Sequence, residues 1–133
     1  MIVGIGLDLV ELPRVKKAYG RFGLQFAARI LTPAELSEGA LSGNAEIANE
    51  VRFLASRFAA KEAASKALGT GFAHGVTLHD IAVVRQENGR PDIVFNGEAL
   101  NWANKLLVTH QHLSITHEKG MAAATVVLEC RRP

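Results

Sequence analysis

The chain has 133 residues, 48% of them apolar and 21% charged, with a net charge of +2. That length suits one domain over residues 1–133 that buries about two thirds of its unfolded surface without staples. The charge is too small to argue for nucleic acid, no apolar run approaches the ~20 residues of a bilayer span, and a lone Cys130 leaves no disulfide framework within the chain.

Met1 to Val10 reads as a strand with Val3, Ile5, Leu7 and Leu9 on one face. The other face carries Ile2, Gly4, Gly6, Asp8 and Val10, so two glycines clear the space on the side of Asp8. Glycine inside a strand often marks the close approach of a ligand or of another backbone. Asp8 therefore either ends the strand and caps the next element, or faces a ligand. The glycines do not begin a dinucleotide fingerprint, because the third glycine and the immediate helix are missing. No basic segment precedes the first apolar run and Asp8 interrupts it, so no secretory signal is read, and the cytoplasm is the expected location.

Pro13 fits the first turn of a helix running to about Phe26. From Pro13 to Arg29 there are Arg14, Lys16, Lys17, Arg21 and Arg29 and no acid. This is either a solvated face or a docking surface for an acidic partner, where charge raises the on-rate and selects partners more than it adds affinity. Thr32, Pro33 and Glu35 read as an N-cap, a first-position proline and a first-turn acid. Ser37 to Asn49, with Gly39, Gly43 and Asn44, reads as a loop or a broken helix.

Phe53 to Gly71 reads as one long helix closed by a glycine-rich loop. Counting the apolar stripe from Val51 gives Leu54, Ala55, Phe58 and Ala59, and then Glu62 where an apolar residue is due. Lys66 follows one turn later, Arg57 lies upstream, and Ala59, Ala60, Ala63, Ala64 and Ala67 surround the charges. Alanine favours helix and lets backbone or ligand come close. Glu62 and Lys66 are either a surface pair worth about 0.2–0.5 kcal/mol, or a partly buried carboxylate that holds a metal or a proton beside a lysine placed for phosphate. Gly69-Thr70-Gly71 is either the helix C-cap or an N–H concavity for phosphate.

Asp80 to Arg85 reads as a strand, Asn88-Gly89-Arg90-Pro91 as a turn, and Ile93 to Phe95 as the return strand. Asn96 caps a short helix, Glu98 to Leu107, carrying Trp102. His112 to Thr116 and Ala122 to Glu129 read as strands joined by a turn from His117 to Gly120. Ser114 and Thr116 share a face, Leu113 and Ile115 the other, with His117 at the strand end. His117 is either solvated or joins Ser114 and Thr116 as a donor to an anion. The fold class expected is α+β, a long central helix packed on an antiparallel sheet joined by the N-terminal strand.

The run Gly4 to Glu11 (GIGLDLVE) and the run Arg57 to Gly71 (RFAAKEAASKALGTG) resemble the holo-[acyl-carrier-protein] synthase family, the small bacterial 4′-phosphopantetheinyl transferases of lipid and fatty acid synthesis. Phe26 to Leu36, the turn at Asn88 to Pro91 and Ser114 to His117 match in order, so the likeness covers essentially the whole chain. Phe58 stands where many members carry tryptophan. The resemblance implies a phosphopantetheinyl transferase fold and transfer of the phosphopantetheine arm of coenzyme A to a serine of apo acyl carrier protein, with 3′,5′-ADP leaving. It implies magnesium (Mg2+) on Asp8 and Glu62, with Glu62, Lys66 and Asp8 as the catalytic group and the base either Glu62 itself or a metal-bound water held by Asp8 or Glu62. Coenzyme A contacts fall on Arg57, Lys66, Gly69, Thr70, Gly71, Ser114, Thr116 and His117. The carrier protein falls on Arg14, Lys17 and Arg21. It also implies a homotrimer with sites at subunit interfaces.

Two competing readings use the same residues. A magnesium-dependent nucleotide phosphohydrolase would need the carboxylates and lysine but no docking helix. A non-enzymatic module binding an acidic protein would leave Asp8 and Glu62 without a shared task.

Overall fold

The computed structural model describes residues 1–132. Chain order is β1 (Ile2–Glu11), α1 (Leu12–Phe22), α2 (Leu24–Ile30), α3 (Pro33–Gly39), α4 (Ala48–Leu68), a short 3-10 turn (Leu78–Asp80), β2 (Ile81–Arg85), β3 (Pro91–Phe95), α5 (Gly97–Lys105), β4 (His110–Glu118) and β5 (Met121–Glu129). The architecture is α+β, as expected. The strands divide into two sheets: an antiparallel sheet in the order β1-β5-β4, and the separate β2-β3 hairpin.

The 21-residue α4 runs through the middle of the molecule and is buried on nearly every side. Its alanine run explains how it can be central, since small apolar side chains let neighbouring elements pack closely round the helix. Gly4 and Gly6 of β1 lie directly against it. A Cβ on Gly4 would overlap the Ala67 carbonyl oxygen, and one on Gly6 the Ala63 carbonyl oxygen. The glycines therefore serve the approach of strand to helix backbone. Gly6→Ala is expected to push β1 off α4, destabilise the chain by about 1–3 kcal/mol, and lower activity because Asp8 sits two residues further along the strand. Denaturant unfolding and turnover of the same variant check this.

The opposite face of β1 is turned outward. Ile5, Leu7 and Leu9 are 68%, 60% and 63% exposed. They align across the sheet with Val127, Thr125 and Ala123 of β5, and through these with His112, Ser114 and Thr116 of β4. On the inner face Ala122, Ala124, Val126 and Leu128 of β5, and Leu113 of β4, are buried.

Two boundaries differ from the sequence expectation. The helix expected over Pro13 to Phe26 is two helices, because Gly23 adopts φ 59° and donates its N–H to the Tyr19 carbonyl at 2.7 Å, ending α1. β4 runs to Glu118, so His117 lies in the strand and not in the turn. Thr32 and Glu35 form the reciprocal capping box at the start of α3. Glu35 also reaches the core. It is 3% exposed and accepts from Lys61 Nζ at 2.7 Å and from the Val83 N–H at 2.7 Å, tying α3, α4 and β2 together.

Candidate functional site

The geometry of β1 against α4 sets the site. With Gly4 and Gly6 fitted to alanine turns, Asp8 falls on the inner face of the strand at the level of Glu62 and Lys66. Lys66 does not pair with Glu62 along the helix. Its Nζ donates to Asp8 Oδ1 at 2.9 Å and to the Leu7 carbonyl at 3.2 Å. The ammonium is half exposed while the Asp8 side chain is 15% exposed, so the pair sits at the lip of a recess. Its hydrogen bond to Asp8 leads the effects that hold the Lys66 ammonium above its ordinary range. Burial pushes the Glu62 carboxyl above the usual carboxylate range. The Asp8 charge adds to that shift and Lys66 opposes it.

Both carboxylates line a cavity of about 400 Å³. Glu11 and Arg14 sit at the same cavity, and the side chains of Val15, Ala18, Phe26, Ile30 and Phe58 supply its apolar wall. The site therefore has three acids and an arginine beside a hydrocarbon wall, with Lys66 bonded to Asp8 at its edge. Sequence reading did not foresee this wall. The signal available was that Phe58 stands one turn before Glu62 and that α1 and α2 each bring an apolar stripe towards α4.

Arg14, Lys17 and Arg21 recur at i, i+3 and i+7 and are exposed on one face of α1. Only Arg14 of the three reaches the cavity. Lys16 pairs with Glu46 at 3.4 Å, and the Arg21 guanidinium lies 5.1 Å from the centroid of Phe22.

The remaining candidate residues lie apart from Asp8 and Glu62 within one chain. Arg57 is buried on the side of α4 that faces α3 and β2. It donates to Glu38 Oε2 at 3.2 Å, its guanidinium lies 4.3 Å from the centroid of Phe53, and among the described residues its Nε has no partner. The N–H groups of Gly69, Thr70 and Gly71 donate to helix carbonyls of Ser65 and Lys66, so the loop closes α4 as a cap. A Cβ at Gly69 or Gly71 would meet open space, which leaves the loop surface accessible. Ser114 and Thr116 lie on the outer face of the sheet with Leu7 and Leu9. His117 pairs with Ala122, whose side chain is buried on the inner face, so the strand places His117 across the sheet from the two hydroxyls.

Among the described residues no group of three or more His, Cys, Asp or Glu side chains forms a metal cage, and no helix is long and apolar enough to cross a membrane.

Residues 4–126 match the family model of the 4′-phosphopantetheinyl transferase superfamily. The chain is 50% identical over 131 residues to the holo-[acyl-carrier-protein] synthase of Vibrio cholerae serotype O1 (strain M66-2), covering 98% of this chain and 100% of the relative. Its fold superposes on the crystal structure of holo-[acyl-carrier-protein] synthase from Neisseria meningitidis with a TM-score of 0.84 at 39% identity, covering 97% of this chain and 99% of that one. A holo-(acyl-carrier-protein) synthase from Bacillus anthracis, solved in complex with CoA (3′,5′-ADP), superposes with a TM-score of 0.78 at 40% identity, covering 98% and 99%.

Proposed function

The chain belongs to the 4′-phosphopantetheinyl transferase superfamily, and from that premise we propose that it moves the phosphopantetheine arm of coenzyme A to a serine of apo acyl carrier protein, releasing 3′,5′-ADP. The observation that carries the reading is the convergence of Asp8, Glu62 and Arg14 on one recess, with Lys66 bonded to Asp8 at its edge, in a chain whose relatives bear that activity in their names. We read residues 1–133 as one transferase domain working in the cytoplasm.

The donor set fits a divalent cation. Asp8 and Glu62 are two hard-oxygen ligands from two elements, near enough that the charge of one raises the proton affinity of the other. Magnesium takes one or two carboxylates and fills its remaining positions with waters and substrate phosphates. Bound to Asp8 and Glu62, it would supply positive charge to the coenzyme A pyrophosphate and to the developing oxyanion.

The chain's own residues account for the rest. The carrier-protein serine oxygen forms a bond to the phosphorus that bears the pantetheine arm, and the bond from that phosphorus to the bridging oxygen breaks, so 3′,5′-ADP leaves. The serine proton must go to a base. We assign that role to Glu62, whose carboxyl is held above the usual carboxylate range by burial and then by the Asp8 charge. Lys66, half exposed at the lip, neutralises charge on the phosphate in transfer. Gly69 and Gly71 offer an open loop surface to coenzyme A just beyond the end of α4, and Thr70, buried between them, holds the loop in shape.

We assign Arg57, Ser114, Thr116 and His117 to coenzyme A as well, with the contacts shared among three copies of the chain. Two observations support a homotrimer. The outer face of β1 exposes Ile5, Leu7 and Leu9 in a row, an apolar stripe that a monomer has no reason to keep in water. Ser114 and Thr116 lie on that same face, from which they reach a neighbour's recess and not their own.

Release of 3′,5′-ADP from coenzyme A should require apo acyl carrier protein. Release without it would favour the phosphohydrolase. Arg14→Ala is expected to raise the KM for carrier protein several-fold, on the order of 1 kcal/mol for a rim charge, and to raise the KM for coenzyme A less. Added salt should mimic the variant. Equal losses for both substrates would count against docking on α1.

A further inference from the structure

The loop between α3 and α4 is joined to α1 through one buried cluster. Tyr19 lies on the side of α1 opposite Arg14, Lys17 and Arg21 and is fully buried. Its hydroxyl donates to Glu50 Oε1 at 2.5 Å and accepts the Gly43 N–H at 2.9 Å. Glu50 opens α4, is 8% exposed, and accepts the Ser42 N–H at 3.0 Å on Oε1 and the Ser42 hydroxyl at 2.7 Å on Oε2. Burial alone would favour the protonated acid, but the bonds from Tyr19 and Ser42 outweigh it and keep the Glu50 carboxyl below its ordinary range. A carboxylate held charged inside the fold makes stronger hydrogen bonds than a neutral group. Gly20 and Ala45 close the contact from outside, where a Cβ on Gly20 would lie 3.5 Å from that of Ala45.

We infer that Tyr19 and Glu50 are positioning residues for carrier-protein docking: their bond, locked by Ser42 and Gly43, fixes the basic face of α1 to the helix that bears Glu62 and Lys66. Glu50 and Glu62 are twelve residues apart on α4, about 18 Å along a helix rising 1.5 Å per residue. The clamp therefore sets the distance between the docking cations and the reacting groups without touching either. It gives a task to residues 41–47, which make no contact with the recess. The inference rests on the reading of α1 as the docking helix.

The test is steady-state transfer by the full chain with coenzyme A, magnesium and apo acyl carrier protein. Tyr19→Phe keeps the ring in the core and removes the hydroxyl. A hydrogen bond to a charged group is among the stronger ones, and losing this one frees α1 only in part, so a carrier-protein KM raised about tenfold is expected, with the KM for coenzyme A unchanged. Its carrier-protein KM should also respond less steeply to salt, because the cations are no longer held in register. Tyr19 is the only tyrosine, so tyrosinate absorbance reads the clamp directly. Burial, then the bond to Glu50, pushes its phenol up to about 12. Glu50→Gln should bring that titration down and raise the carrier-protein KM together. If Tyr19→Phe fails to fold, Ser42→Ala, at an exposed residue, should show a smaller rise of the same selectivity. An unchanged carrier-protein KM, or equal rises for both substrates, overturns the inference. A wild-type chain that transfers nothing overturns the functional reading beneath it, which is a distinguishable failure.

Discussion

Glu62→Gln is expected to lower kcat/KM for transfer about 100-fold or more, within the range a positioned base contributes, while the fold stays intact. The amide keeps the shape of the side chain but neither takes a proton nor offers a charged ligand. Stability moves the other way. In the metal-free protein Glu62 has its folded pKa raised, by burial first and then by Asp8. A raised carboxyl contributes stability that is complete below the unfolded pKa and is lost as pH rises through the folded one. Glutamine has no charge to desolvate, so Glu62→Gln should unfold in EDTA at an equal or higher temperature, with the gap over wild type widening as pH rises. Activity that falls without a fall in stability marks a residue retained for chemistry. Activity within a few-fold of wild type would remove Glu62 from the reaction.

Lys61→Ala should be the most damaging single change to stability. The Lys61 side chain is fully buried and its Glu35 partner 2% exposed, with Nζ 2.7 Å from Oε1. Lys61 also donates to the Leu78 carbonyl at 3.1 Å. Removing the lysine leaves Glu35 charged in the core, held only by the Thr32 and Val83 N–H groups. Breaking a buried pair in this way costs about 3–5 kcal/mol, a large share of the 5–15 kcal/mol that holds a typical domain. Lys61→Met should lose nearly as much, because the vacated volume is refilled and the unpaired charge is not removed. Combining it with Glu35→Gln should recover part of the loss. Denaturant midpoints of the three variants check this. A Lys61→Ala variant within 1 kcal/mol of wild type would mean that Glu35 takes up a proton without penalty.

Much of the fold was legible because local signals and tertiary packing agree. The glycine-cleared face of β1, the alanine run of α4, the αL cap at Gly69, the capping box of Thr32 and Glu35 and the Asn88-Gly89 turn each have one cheap conformation. The apolar alternation of β1 could not tell which face is buried. That was decided by the fit of Gly4 and Gly6 to the α4 backbone, which leaves Ile5, Leu7 and Leu9 outside.

In the site, Asp8, Glu62 and Lys66 come together as the motif suggested, but the charge partner of Lys66 is Asp8 and not Glu62. Arg57 belongs to the same sequence run, yet five residues along a helix of 3.6 residues per turn is about 140° round the axis. It therefore faces Glu38. His117 was misplaced for the analogous reason in a strand: β4 continues past the expected turn, and the alternation of side chains carries it to the opposite face from Thr116. Lys61 and Glu50 carried one signal that was not used. An alanine-rich helix long enough to run through the core leaves little solvent face, so most charges on it have to be paired inside.

The most direct measurement is the mass of an apo acyl carrier protein after incubation with the chain, coenzyme A and magnesium, beside an arm containing EDTA. The account predicts a gain of one phosphopantetheine on the carrier protein, absent in EDTA and restored by excess magnesium. Coenzyme A consumed with no gain in mass, or both molecules left unchanged, would contradict it.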